Sequence, residues 1–492
     1  IVSTGNGSDT IVIRPGSGGS TQTTADFHHG WHVDSGDKIG LDGGLEYSDL
    51  TIAQGISAGA GTDTSGYENN TVISYGSEYL LVLSNTVASS VDHWDFTSMA
   101  TGNQTLSGTT GDDVLIGAAG IDTVTSNTGS DVIITNGGDD VITVDGVGNK
   151  TIDGGAGTDS LTVSVSGVSS LSDYTITTSG DYTVLTDAGS NVIQYKSIEQ
   201  LTVGSYTYTN DTEADSLWNS TEKVLYMYDG GRAAFNYTGA FDNLAGFSAS
   251  DDLSFVGSNM ADYVMLGSDR SSVFTGNLTV SLGDGNDDFD TARLKNSDSI
   301  DLGAGNDEIE LYLTGSNGTP TYAAMSMAKL DGGAGTDTLE FYLMGSQGST
   351  ELTLSHGGIT NFENLSGTNG ADIIRGDAGN NVLSGVGGAD NIYGGDGDDT
   401  LWAGQVQLNG YASTDTTDDN LYGGAGDDIL RGSHGDNIID GGAGRDQIIT
   451  TGNGSDTIVI RAGSGGSTQN TADYHHQWHV DSGDKIGLDG GL

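Results

Sequence analysis

Hydrophobic residues in this chain come in short, β-branched runs such as Thr10-Ile11-Val12-Ile13, cut apart by Gly, Asp and Asn. That pattern predicts many very short strands joined by tight turns. Over Gly108–Ile116, Gly117–Thr125 and Ser126–Ile134 it becomes periodic, as Gly-x-x-Gly-x-Asp-x-hydrophobic-x. The nine residues read as one turn plus one strand, with the eighth position pointing inward. Between 164 and 280 the pattern changes to alternation. There Tyr174/Ile176, Tyr182/Val184, Leu201/Val203 and Tyr206/Tyr208 predict half-buried strands, and Met227, Phe235, Phe241 and Phe247 read as core. Thr319 to Leu330 is the best candidate for a short helix or lateral loop, and helix is expected to be scarce.

The sixth-position acids are Asp113, Asp122, Asp131 and Asp140, nine apart. Lys150 then takes the Asp position, and Asp159 restores the pattern. A looser array holds Asp287, Asp307 and Asp337. A third holds Asp372, Asn381, Asp390 and Asp399, then Asp428, Asn437 and Asp446 after an insertion. Two turns and two strands close one coil of a parallel β-solenoid. Eighteen residues would then bring Asp113 over Asp131, Asp122 over Asp140, Asp372 over Asp390 and Asp428 over Asp446.

Charge decides what such stacking needs. Acids number 68 against 15 bases, a formal charge of −53. Nucleic acid is excluded as a partner, because it requires clustered Lys and Arg. No apolar run approaches the ~20 residues of a membrane span, so membrane insertion is not expected. Cys is absent, which removes disulfides and thiol chemistry. Stacked carboxylates and turn carbonyls offer only oxygen, and oxygen ligands in flexible geometry suit Ca²⁺ better than Mg²⁺ or zinc. Several bound Ca²⁺ ions are expected, each offsetting repulsion between stacked acids.

These nonapeptides resemble the repeats-in-toxin (RTX) family, whose repeats form calcium-bound β-rolls in secreted bacterial proteins. The resemblance implies an all-β chain: a parallel β-roll or β-solenoid with calcium-binding turns, interspersed with β-rich non-repeat segments. It also implies the ligands. Side-chain oxygens would come from Asp9, Asp113, Asp122, Asp131, Asp140, Asp159, Asp287, Asp307, Asp337, Asp372, Asn381, Asp390, Asp399, Asp428, Asn437, Asp446 and Asp456. Turn carbonyls would come from Gly111, Gly120, Gly129, Gly138, Gly155, Gly157, Gly285, Gly305, Gly333, Gly335, Gly370, Gly388, Gly395, Gly397, Gly424, Gly426, Gly442 and Gly444. Lys150 should remove a site or replace the cation with its own charge. Asn381 and Asn437 should bind more weakly. The tract from Thr10 to about Met99, with Arg14-Pro15-Gly16-Ser17-Gly18-Gly19-Ser20 and Gly36-Asp37-Lys38-Ile39-Gly40-Leu41, resembles a module that follows nonapeptides in very large bacterial RTX surface proteins. Such proteins are secreted to the cell surface or beyond by a type I-like route.

Residues 448–492 repeat residues 1–45 at 39 of 45 positions, offset by 447. The chain therefore reads as one unit of a tandem array. Its expected parts are an RTX-associated module (1–98), a first β-roll (99–163), a Tyr-rich β region (164–280), a looser roll (281–343), a third roll (344–449) and the start of the next unit (450–492).

His28, His29 and His32, repeated as His475, His476 and His479, form the one rival metal motif; packing beside Trp31 and Trp478 is the competing reading. No Gly-x-Ser-x-Gly elbow with partners and no His-Glu-x-x-His occurs, so no enzyme is expected. The leading expectation is a calcium-stabilised extracellular structural protein that assembles with itself into a filament, sheath, S-layer or matrix. The alternative is an extender or ligand-binding segment of a giant adhesin, recognising polysaccharide or cells through Tyr and Trp.

Overall fold

The computed structural model describes residues 2–3, 10–18, 26–29, 37–55, 70–84, 86–211, 216–228, 232–234, 246–248, 250–266, 276–291, 294–295, 297–314, 329–344, 350–354, 357–405, 415–449, 454–461, 474–476 and 484–489. The chain is all-β, and its sheets are mostly parallel. Among the described residues, helix is confined to three-residue 3-10 turns at Tyr47–Asp49, Ala88–Ser90, His93–Asp95 and Leu171–Asp173. The chain divides into two compact units, Ile1–Asn210 and Asp211–Leu492. The six spans expected from sequence are finer than this division, and the Tyr-rich span straddles it.

In the first unit, successive nonapeptide strands enter alternate sheets. Val114–Ile116, Asp131–Ile134 and Lys150–Asp153 pair in parallel in one. Thr105–Ser107, Thr123–Thr125, Val141–Val144 and Ser160–Val163 pair in parallel in the other. A strand's neighbour is thus the one after next, as in Val114↔Val132 and Val124↔Ile142. Three or four residues suffice for each strand because only its eighth-position side chain must reach the core. Leu115, Val124, Ile133 and Ile142 are all buried there, each removing an apolar side chain from water at a gain of ~1.5–3 kcal/mol.

Antiparallel strands extend both sheets. Val192–Lys196 lies parallel to Lys150–Asp153 and antiparallel to Tyr182–Asp187, which pairs with Tyr174–Ser179. Here one expectation is corrected. Thr183 and Leu185 face the core, not Tyr182 and Val184. The register Ile176↔Leu185 puts the odd-numbered residues of that strand on the face of Tyr174 and Ile176, and the Tyr182 ring instead receives the Lys196 ammonium at 5.2 Å. Leu201, Val203 and Tyr208 are buried as expected.

A separate core in the first unit joins Ile13, Ile39, Leu41, Ile73, Leu80 and Phe96. It covers the parallel strands Thr10–Ile13, Lys38–Leu41 and Phe96–Ser98.

The second unit repeats the alternation on a longer scale. One eleven-stranded sheet runs from Arg232–Ala234 to Tyr474–His476, parallel throughout. The strands between its members form two further parallel runs, Leu253–Val256 to Gly358–Thr360 and Thr350–Thr353 to Lys485–Asp489. All three share one hydrophobic core that includes Phe255, Phe289, Ile309, Leu339, Ile392 and Leu430. Met227 is in that core and Phe247 packs against it; Phe235 and Phe241 lie outside the described residues. So does the expected helix or loop from Thr319, except Lys329 and Leu330, which belong to the strand Lys329–Asp331, where Leu330 is buried. The side chains of the six clustered histidines also lie outside the described residues.

The duplicated segment pairs its strands in the same way in both copies. Thr10–Ile13 lies against Lys38–Leu41, and Thr457–Arg461 against Lys485–Asp489, in equivalent register. Arg14 pairs with Asp42 and Arg461 with Asp489, positions that are 447 apart.

Candidate metal centres

The residue at the start of each strand, or immediately before it, is the one that matters. Its backbone N–H donates to a carboxylate oxygen of the corresponding residue on the neighbouring strand. In the first unit Asp113 donates to Asp131 Oδ1 (3.0 Å), Asp122 to Asp140 (2.7 Å) and Asp140 to Asp159 (2.8 Å). In the second unit Asp372 donates to Asp390 (2.7 Å), Asp399 to Asp428 (2.8 Å) and Asp428 to Asp446 (3.0 Å). All four expected eighteen-residue pairs are thus brought together. A side-chain acceptor replaces the backbone partner that a turn cannot supply.

The ladders also recruit acids that the nonapeptide pattern does not mark. Asp159 donates to Glu199 and Asp337 to Glu363. Asp262 donates to Asp287, Asp390 to Asp419 and Asp456 to Asp484. The common signal is an acid directly ahead of a strand, whatever the spacing. Asp287, Asp307 and Asp337 form a continuous ladder although they are 20 and 30 residues apart.

Glycine is required at two turn positions for steric reasons. A Cβ on Gly385, five residues before Asp390, would lie 2.3 Å from that residue's Oδ2. A Cβ on Gly426 would lie 2.0 Å from the Gly397 carbonyl, at a backbone φ of +142°. The first opening leaves room beside the carboxylate. The second lets turn carbonyls stack directly on one another.

The residue after the first glycine sorts the turns into two classes. Where it is Thr109, Ala118, Ser258 or Thr368, its N–H closes onto Oδ2 of Asp113, Asp122, Asp262 or Asp372, at 2.6–2.8 Å. Where it has positive φ, the amide is swung away. Gly155, Gly283, Gly303, Gly333, Gly395 and Gly424 adopt φ of +87° to +127°, and Val386 is at 69°. In those turns Oδ2 of Asp159, Asp287, Asp307, Asp337, Asp399, Asp428 and Asp390 is buried with no hydrogen-bond partner.

A buried carboxylate oxygen without a partner is costly. Burial, followed by the charge of neighbouring acids, pushes Asp159, Asp399 and Asp428 up to about 6, Asp287 to about 7 and Asp390 to about 10. These groups need a proton or a cation. Their donor set is oxygen alone, which fits Ca²⁺.

Two turns supply the positive end from the protein itself. Lys150 Nζ reaches the buried Asp131 Oδ2 at 3.1 Å. At Asn437 the amide nitrogen donates to the carbonyls of Ser433 (3.3 Å) and Gly435 (2.9 Å) and to Asp456 Oδ1 (3.0 Å). Asn381 instead accepts the Asp377 N–H through its side-chain oxygen at 2.9 Å. Asp9 lies outside the described residues.

A family model of the RTX calcium-binding nonapeptide repeat matches four stretches, residues 100–125, 116–147, 366–401 and 413–448. The chain carries RTX calcium-binding nonapeptide repeats in those stretches. The matched repeat is a calcium-binding motif, so the RTX chain binds multiple Ca²⁺ ions. The matches fall on the ladders from Asp113 to Asp140 and from Asp372 to Asp446. The ladder from Asp262 to Glu363 has the same bonds outside them. No curated protein matches the chain. RTX repeats are non-catalytic calcium-binding elements typical of secreted proteins. Among the described residues, no helix is long and apolar enough to cross a membrane.

Proposed function

We propose that the RTX chain is one unit of a calcium-stiffened extracellular array, non-catalytic and secreted by a type I-like route. Its alternating parallel sheets would close into β-rolls, with the open turns holding the ions. Ions neutralise the carboxylate ladders, and stacked strands then bear load along their hydrogen-bonding direction.

The observation that carries this reading is the equivalence of the two copies of the duplicated segment, in which Thr10 pairs with Lys38 and Thr457 with Lys485 in the same register. Ile39 and Leu41 are buried under residues of 46–98, Phe96 among them. Their counterparts Ile486 and Leu488 lie on an equivalent strand. The matched register of the two copies supports a repeating arrangement.

The polysaccharide-binding alternative needs free aromatic faces. Tyr393 and Tyr422 are stacked on each other at 4.8 Å, and Arg375 lies over Tyr393 at 4.3 Å, so neither ring pair favours it.

Electron micrographs of the native material test the proposal. Ordered filaments or lattices in calcium, lost in EDTA, are expected. Dispersed single chains under both conditions would sink it.

A further inference from the structure

In the first unit one sheet face is built of hydroxyls. Ser107, Thr125, Thr143, Thr162, Thr202 and Thr207 form one column of side chains across neighbouring strands. The adjacent column runs from Thr105 and Thr123 through Val141, Ser160 and Gln200 to Thr209. These residues alternate with the buried Val124, Ile142, Leu161, Leu201 and Tyr208, so both columns face away from the core. The register steps from strand to strand without a bulge, and a side-chain ladder of this kind favours a flat sheet.

Charge sets this face apart. No Asp, Glu, Lys or Arg stands in either column, in a chain of formal charge −53. The six-stranded sheet of the same unit instead turns Asp153 and Lys196 outward, paired at 3.0 Å. Strand propensity accounts for Thr but not for Ser107 and Ser160, nor for a hydroxyl on every strand of one column. Size also narrows the partner. Strands ~4.8 Å apart and alternate residues ~6.6 Å apart make the two columns about 24 Å by 7 Å, whereas a stable protein interface covers ~800 Å² on each side. A protein partner, including a second copy of this chain, would need far more surface than this.

We propose that this face binds ice. A hydroxyl both donates and accepts hydrogen bonds, as water does. Hydroxyls held in register by a sheet can order the waters that bridge them, and no charge on the face imposes a competing hydration shell. The waters would then repeat at ~4.8 Å across the strands and ~6.6 Å along them, close to the oxygen repeats on a prism face of hexagonal ice. A crystal surface presents such a repeat without limit, so a small rigid patch suffices. One chain is enough for this activity, so it stands or falls independently of assembly into an array.

Thermal hysteresis and ice shaping by the full chain in millimolar calcium test it. Wild type should hold the freezing point below the melting point and facet the growing crystal. Thr143→Tyr/Thr162→Tyr, which sets rings in the middle of a column, should abolish both effects while keeping β circular dichroism. Thr151→Tyr, on the outward side of the six-stranded sheet, should leave both unchanged. Round crystals that grow at the melting point with wild type overturn the proposal, as does an unchanged gap in the folded double variant. Should that variant fail to fold, Thr143→Lys, whose charge carries its own hydration, should narrow the gap, and an unchanged gap overturns the proposal equally. A double variant that alters sedimentation but not ice growth also overturns it, and assigns the face to contact between copies.

Discussion

Lys150 Nζ lies 3.1 Å from Asp131 Oδ2 with both side chains fully buried, and it also donates to the Gly129 carbonyl at 2.5 Å. The ammonium thus meets a carboxylate oxygen and a turn carbonyl, the two donor types that the other nonapeptide turns offer to an ion. A monovalent side chain has taken the role of a divalent cation. Its partner Asp131 remains raised, because burial outweighs the help from Lys150.

Replacing Lys150 therefore has two distinguishable outcomes. Lys150→Met strips a buried pair of its cation and should cost ~3–5 kcal/mol at limiting calcium. Lys150→Asp restores the acid of the nonapeptide and should raise the bound calcium count by one ion. Thermal melts and ion counting at fixed free calcium measure both. A Lys150→Asp chain with the wild-type count would show that the position is not a latent site.

The two turn classes predict unequal ligands among acids that look equivalent in sequence. Asp390→Asn, Asp399→Asn and Asp428→Asn remove the charge of carboxylates whose Oδ2 is unpartnered. Each should lose an ion. Asp113→Asn and Asp122→Asn alter carboxylates already closed by Thr109 and Ala118, and should leave the calcium count unchanged. Equal losses across both sets would show that the position-two amide does not decide occupancy.

Glycine substitutions separate stacking from mere turn content. Gly426→Ala would place its Cβ 2.0 Å from the Gly397 carbonyl at φ +142°, and should destabilise by ~1–3 kcal/mol or more. Gly111→Ala meets nothing nearer than Thr109 Oγ1 at 3.7 Å and should stay within about 0.5 kcal/mol. Calcium-saturated melting curves of the two variants make the comparison.

The sequence made the spacing rule legible because two strands and two turns set the step, and Asp113 over Asp131 follows from counting. It also made Lys150 legible, because a lysine in a column of acids has few other roles. Counting failed wherever chain is inserted between strands. Asp399 and Asp428 are neighbours across 29 residues, since the register Thr400↔Ile429 constrains the strands and not the length between them. Glu199 and Glu363 were missed for a related reason: they lack the glycine turn but still precede a strand. The split between Asp390 and Asp122 was hidden because it depends on one backbone angle. Val386 adopts positive φ there, which its side-chain type does not announce.

The same orphaned carboxylates fix the direction of pH dependence. Without metal, Asp159, Asp337, Asp399 and Asp428 are pushed to about 6, and Asp287 to about 7, with burial as the largest cause in each. In an unfolded chain such groups titrate near ~3.9. Between that value and 6–7 the folded state therefore binds more protons than the unfolded one. Stability of the metal-free fold must fall as pH rises through this window, and is greatest below it. Calcium reverses the slope. The ion needs ionised carboxylates, so its binding releases protons and strengthens as pH rises. In EDTA, β circular dichroism and melting temperature should be higher near pH ~5 than near pH ~7.5; in millimolar calcium the order should invert. If both conditions gave the same slope, the buried Oδ2 atoms would not be the groups that calcium neutralises.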